Sequence, residues 1–224
     1  LPFIPASILP FIAGSLLAKK DFEFLNFFLG LFAVILTHLG ANLINDYSDS
    51  KSGADWKDNR FYGLFGGSKL IQEGVLSEKF YFNLSIICFL LAFLCVFALA
   101  ISLKSLVVIG CFFLVCFFTF SYSHEPLQFS YHRLGEFIVF FLFGPALVMG
   151  GYYIQNQIFS PVHGFLVSLP FGFLTTAILF ANEVPDYETD KSSGKMTWVS
   201  IVGPDKAYIV YSFLIFFAVV SIIF

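Results

Sequence analysis

Asn42, Asn45, Asp46, Asp49, Lys51 and Asp55 fall within fourteen residues, directly after an apolar run long enough to cross a bilayer. Grouped carboxylates repel one another and lose solvation near a bilayer, so they need cations. The segment Asn42–Asp55 has a second copy 140 positions on, at Asn182–Lys195, where Asn182, Asp186, Tyr187, Lys191 and Ser192 repeat Asn42, Asp46, Tyr47, Lys51 and Ser52 without a gap. The pair reads as two halves of one site. Magnesium suits such a site, because it is a hard ion that takes a few carboxylates and completes its shell with water and phosphate oxygens. Asp46 and Asp49 are candidates for one ion, Asp186 and Asp190 for a second, with a diphosphate bridging them. The carboxamides of Asn42 and Asn182 can donate to phosphate or hold a metal-bound water. Lys51, Lys191 and Lys195, with Arg60 or Lys69, can neutralise the remaining phosphate charge. Gly53 and Gly194 allow sharp turns beside a ligand.

Apolar helices must position these residues. The chain of 224 residues is 58% hydrophobic and 12% charged, with 33 Phe. Soluble domains carry about a quarter charged residues, so an integral helical membrane protein is the class that fits. Apolar windows of about 20 residues, the length a bilayer core needs, fall at 2–18, 24–45, 80–103, 105–122, 136–155, 158–182 and 206–224. The runs are continuous rather than alternating, which favours helices over a β-barrel. Pro5, Pro10, Pro145 and Pro170 fall inside spans, where neighbours can satisfy the freed carbonyls.

Seven spans place segments 46–79, 123–135 and 183–205 on one face. With Lys206 that face carries nine of the twelve Lys and Arg, leaving Lys19, Lys20 and Lys104 opposite. The positive-inside rule then puts the motif face in the cytoplasm. All acids except Asp21 and Glu23 lie there too, a bias that the rule does not explain and that points to function. Four intervening spans make the repeat parallel and same-sided. If both helices run on past their spans, Asn42, Asp46 and Asp49 share one stripe, and Asn182, Asp186 and Asp190 share another. Pro185 permits a kink or a fresh helical start.

The rest of the chain carries less chemistry. Cys88, Cys95, Cys111 and Cys116 lie in apolar runs without ligand spacing and read as packing residues. His38, His124, His132 and His163 are scattered, although His38 lies one turn before Asn42. The Phe-rich spans read mostly as lipid-facing packing, with a share lining an apolar tunnel. No basic region precedes the first apolar run, so a cleavable signal peptide is not expected. Both ends, at Leu1-Pro2-Phe3 and at Phe224, read as truncated, and residues 1–224 as one transmembrane domain with 46–79 and 183–205 as cytoplasmic caps.

Asn45-Asp46-Tyr47-x-Asp49-x-x-x-Gly53-x-Asp55 resembles the first aspartate-rich motif of the UbiA superfamily of intramembrane aromatic prenyltransferases. Asn182-Glu183-x-Pro185-Asp186-x-x-x-Asp190-x-x-x-Gly194-Lys195-x-Thr197 resembles the second. Gly67–Gly74, Tyr122-Ser123-x-x-Pro126, Leu134-Gly135-Glu136, Phe143-Gly144-Pro145 and Gly150-Gly151-Tyr152-Tyr153 resemble the menaquinone branch, the dihydroxynaphthoate polyprenyltransferases. The resemblance implies an all-α bundle of nine transmembrane helices around a central cavity, of which seven are in this sequence. It implies Mg²⁺, a polyprenyl diphosphate donor and an aromatic quinone precursor as acceptor. The acceptor would be 1,4-dihydroxy-2-naphthoate, a futalosine-pathway analogue, 4-hydroxybenzoate or homogentisate. The setting would be a lipid bilayer, the bacterial inner membrane with the site at its cytoplasmic face, and no nucleic acid. Asp46, Asp49, Asp186 and Asp190 would be metal ligands. Asn42, Asn45, Lys51, Asp55, Arg60, Lys69, Asn182, Lys191 and Lys195 would bind substrate, and Tyr122 would stabilise an allylic cation. The sequence departs from the pattern at His132, where an Arg is expected, with Arg133 beside it.

Two other readings compete. A cation transporter can use repeated acidic motifs, but these favour the bilayer midplane and inverted repeats. A CDP-alcohol phosphotransferase concentrates its acids in one Asp-Gly-x-x-Ala-Arg block, which is missing here.

Overall fold

The computed structural model describes residues 3–18, 21–52, 70–159 and 162–223. Its regular elements there are helical: α1 (Ile4–Leu16), α2 (Phe24–Ser52), α3 (Glu78–Leu103), α4 (Val107–Ser123), α5 (Gly135–Phe141), α6 (Leu147–Asn156), α7 (His163–Ser192), α8 (Trp198–Val202) and α9 (Ala207–Ile223). A π-helical segment, Leu142–Ala146, joins α5 to α6 into one span around Pro145. Pro145 has no N–H to give the ladder, which accounts for a local π widening.

Each of the seven expected apolar windows is a helix. Among the described residues, five helical stretches are long and apolar enough to cross a membrane: Phe24–Lys51, Glu78–Leu103, Gly135–Asn156, His163–Ser192 and Pro204–Ile223. The first and fourth windows are shorter, at 13 residues in α1 and 17 in α4. The expected loop boundaries shift. α2 runs to Ser52 and α7 to Ser192, so the motif residues at 46–52 and 183–192 are helical rather than loop. Hydropathy ends at the first carboxylate, but the backbone ladder that makes a helix does not depend on side-chain polarity. α7 continues through Pro170 and Pro185.

Small residues let the helices close on one another, as in membrane helix pairs generally. A Cβ on Gly14 would stand 2.0 Å from the Val148 carbonyl oxygen, and one on Gly151 would stand 2.4 Å from that of Phe11. α1 and α6 therefore cross in backbone contact. α2 packs chiefly on α3, where Ser85 donates to the Gly40 carbonyl at 2.9 Å. The outward faces carry exposed Phe32, Leu94, Phe113 and Phe216, a surface suited to lipid. Inside the bundle lies a cavity of about 860 Å³.

Candidate functional site

The cavity is apolar along most of its wall and polar at one end, where Asn42, Asn45, Asp46, Tyr122, Asn182 and Lys195 line it. Both stripes are real: α2 and α7 are continuous through the motifs, so each brings its carboxamide and carboxylates to one face.

Lys195 joins the two motifs. α7 stops in a Schellman turn, in which Gly194 at φ +80 lets the Lys195 N–H reach the Asp190 carbonyl at 2.9 Å and its own N–H reach Lys191 at 3.2 Å. The turn folds the Lys195 side chain back, so that Nζ lies 3.5 Å from Asp190 Oδ1. Burial alone would lower the pKa of this ammonium. Asp49 and Asp190, with Tyr122 and Glu183, outweigh burial and raise it above the ordinary lysine value. Lys195 is therefore a fixed positive charge between the first motif's Asp49 and the second motif's Asp190.

Asp49 is held from both sides. Asn45 Nδ2 donates to Oδ2 and the Tyr131 hydroxyl donates to Oδ1, each at 3.2 Å. Ser123 in turn donates to Asn45 Oδ1. Tyr131 also takes part in a backbone clip. Met196 N donates to the Tyr131 carbonyl at 3.1 Å, and Arg133 N donates to the Met196 carbonyl at 2.9 Å, forming a parallel bridge between His132 and Met196. The segment between α4 and α5 is thereby pinned to the segment after α7, with the Lys195 ammonium 6.0 Å from the Tyr131 ring centre.

Beneath the clip, Glu136 is buried and accepts from Trp198 N at 2.7 Å. The Glu183 carboxyl is its neighbour. Among the described residues, Glu183 Oε2 and Asp190 Oδ2 are buried with no hydrogen-bond partner. Buried orphan oxygens cost free energy, and a water or an ion can satisfy them.

The other predicted site residues are placed as follows. Asp46 and Asp186 are half-buried. Lys51 pairs with Glu78 at 3.3 Å, while the Lys191 ammonium sits 5.6 Å from the Tyr187 ring centre; neither lines the cavity. Arg133 turns outward to the Met196 sulfur at 3.3 Å, and His132 is exposed. Asp55, Arg60 and Lys69 lie outside the described residues. No group of three or more His, Cys, Asp or Glu is gathered as a ligand set among the described residues. Tyr131, Ser123, Glu136 and Glu183 gain no role from sequence, although the last three stand inside the motifs quoted above.

A membrane-spanning helical bundle with paired acidic stripes at the mouth of an apolar cavity is the class that fold and site define. The chain belongs to the UbiA prenyltransferase family, whose model matches residues 7–224, and it is an integral membrane protein. It is similar to the UbiA prenyltransferase domain-containing protein 1 of Homo sapiens, 30% identical over 215 residues covering 94% of this chain and 61% of that protein. The protein of the same name from Ailuropoda melanoleuca is 29% identical over 215 residues, 94% of this chain and 61% of the relative. That of Dictyostelium discoideum is 26% identical over 219 residues, 95% and 64% respectively. The chain thus spans less than two thirds of the length of these relatives.

Proposed function

We propose that the protein transfers an isoprenyl chain from a polyprenyl diphosphate to an aromatic acceptor inside the membrane, with Mg²⁺ as cofactor. The observation that supports this most is the junction at Lys195, a fixed cation between carboxylates of both motifs at the polar end of an apolar cavity. The orphaned Asp190 Oδ2 and the oxygen-only donors Asp46, Asp49 and Asp186 fit a hard divalent ion with open positions for phosphate. Bound there, Mg²⁺ would supply charge neutralisation for a departing diphosphate.

The chain's own residues do the remainder. Asn42, Asn45 and Asn182 donate to phosphate oxygens, and Lys195 balances their charge. Lys51 and Lys191 serve the rim, and Asp55, Arg60 and Lys69 are assigned to substrate binding as well. The prenyl chain lies along the apolar wall, which excludes the water that would capture an allylic cation. The Tyr122 ring faces that cation. The acceptor we assign is 1,4-dihydroxy-2-naphthoate or a related quinone precursor, as in menaquinone biosynthesis, with 4-hydroxybenzoate and homogentisate as the next rings to try. The mouth is placed on the cytoplasmic side of a cell membrane, for a bacterium the inner one.

Purified protein given Mg²⁺, labelled polyprenyl diphosphate and a panel of these acceptors should form a prenylated ring. Asp46→Ala and Asp186→Ala should each reduce kcat/KM by about 10²–10³-fold while the protein still inserts and purifies. Full activity of either variant at limiting Mg²⁺ sinks the proposal.

A further inference from the structure

The cavity's apolar wall contains one imidazole. His38 lies four residues before Asn42 on α2, hence one turn further from the carboxylates on the same face. Its ring lines the cavity and is otherwise buried, 6% exposed. Two contacts fix its orientation. Phe143, on the π-helical segment, meets it edge-on with ring centres 5.2 Å apart. Ser7 on α1 lies with Oγ 2.7 Å from His38 Nδ1 and donates its own proton to the Ile4 carbonyl at 3.0 Å.

A serine hydroxyl has a single proton to give. With that proton on Ile4, Ser7 Oγ would accept from His38, which puts the imidazole hydrogen on Nδ1 and leaves Nε2 as the acceptor. Among the described residues nothing hydrogen-bonds Nε2. An apolar cavity with a pre-oriented acceptor selects a ligand that brings a hydroxyl donor on an otherwise apolar body. An ionised carboxylate or diphosphate group has no proton to donate at this position.

We infer that His38 Nε2 accepts the ring hydroxyl of the aromatic co-substrate, making His38 a specificity-determining residue held in its tautomer by Ser7. This rests on the reaction proposed above for the class of ligand. The contact is one helical turn from Asn42, about 5–6 Å between Cβ atoms, which sets the ring beside the end of the cavity where the diphosphate is bound.

Binding can be read without turnover, by tryptophan fluorescence of the purified full chain with 1-naphthol and with 1-methoxynaphthalene. The wild type should bind the naphthol at least tenfold more tightly than the methyl ether. In His38→Leu the two ligands should bind within about twofold of each other, with affinity for a prenyl diphosphate unchanged. Ser7→Ala, which frees the tautomer, should give an intermediate ratio. A wild type that does not prefer the hydroxyl, or a folded His38→Leu that keeps the preference, overturns the inference. The outcome is independent of prenyl transfer: a preference for naphthol without product formation would count against the reaction and leave the His38 contact standing.

Discussion

At the scale of single residues, Lys195 and Tyr131 carry the most consequence. Lys195→Met would leave Asp49 and Asp190 facing each other with no cation between them. Breaking a buried pair by removing one partner costs about 3 kcal/mol or more; with Lys195 20% exposed in its side chain, the lower end applies. Thermal unfolding in detergent should show that loss, and calorimetric titration with a prenyl diphosphate should show at least tenfold weaker binding. Tyr131→Phe removes one charge-assisted donor from Asp49 and should cost about 1.5–3 kcal/mol in the same unfolding measurement. These residues differ in how visible they are from sequence. Lys195 stands out because it sits inside a repeated motif. Tyr131 reaches Asp49 across 82 positions of chain, and no local pattern announces a contact of that span.

Among the elements, two kinds of glycine separate cleanly. Gly194 closes α7 at a positive φ, and a methyl group placed on it would find nothing within 4 Å, so Gly194→Ala meets only backbone strain. A left-handed alanine costs about 1–2 kcal/mol, and the displaced turn should raise the KM for diphosphate more than it lowers Tm. Gly14→Ala meets the Val148 carbonyl instead and forces α1 off α6. Overpacking of this kind costs about 1–3 kcal/mol, and here the loss should appear in Tm with little change in the diphosphate KM. Hydropathy marks where these helices lie but not how they cross, since the crossing depends on which glycines meet. It also ends α2 and α7 too early, because their last turns are polar helix. The stripes predicted for an extended helix, Asn42 to Asp49 and Asn182 to Asp190, are nonetheless the ones found. The acid pair Glu136 and Glu183 is hidden from sequence for the reason that hides Tyr131: its halves belong to separate helices, α5 and α7.

For the molecule as a whole, charge asymmetry predicts orientation. In a variant whose native cysteines are replaced by serine, Glu188→Cys on α7 should react with an impermeant maleimide only from the cytoplasmic side. Leu106→Cys, 77% exposed at the start of α4, should react only from the opposite side. Labelling of Leu106→Cys only from the cytoplasmic side and Glu188→Cys only from the other would reverse the topology and the placement of the mouth, and labelling of both from one side would overturn the span count. The backbone bridge between His132 and Met196 bears on which changes of length such a site can accept. It closes a loop of contacts from Asp49 through Tyr131 and Met196 to Lys195 and Asp190, so neither acidic stripe is held by its own helix alone. A residue inserted on one side of that bridge would slip its register and carry the tyrosine or the lysine away from its carboxylate. The lengths of the two connecting segments are therefore coupled, and an insertion in one calls for a compensating change in the other.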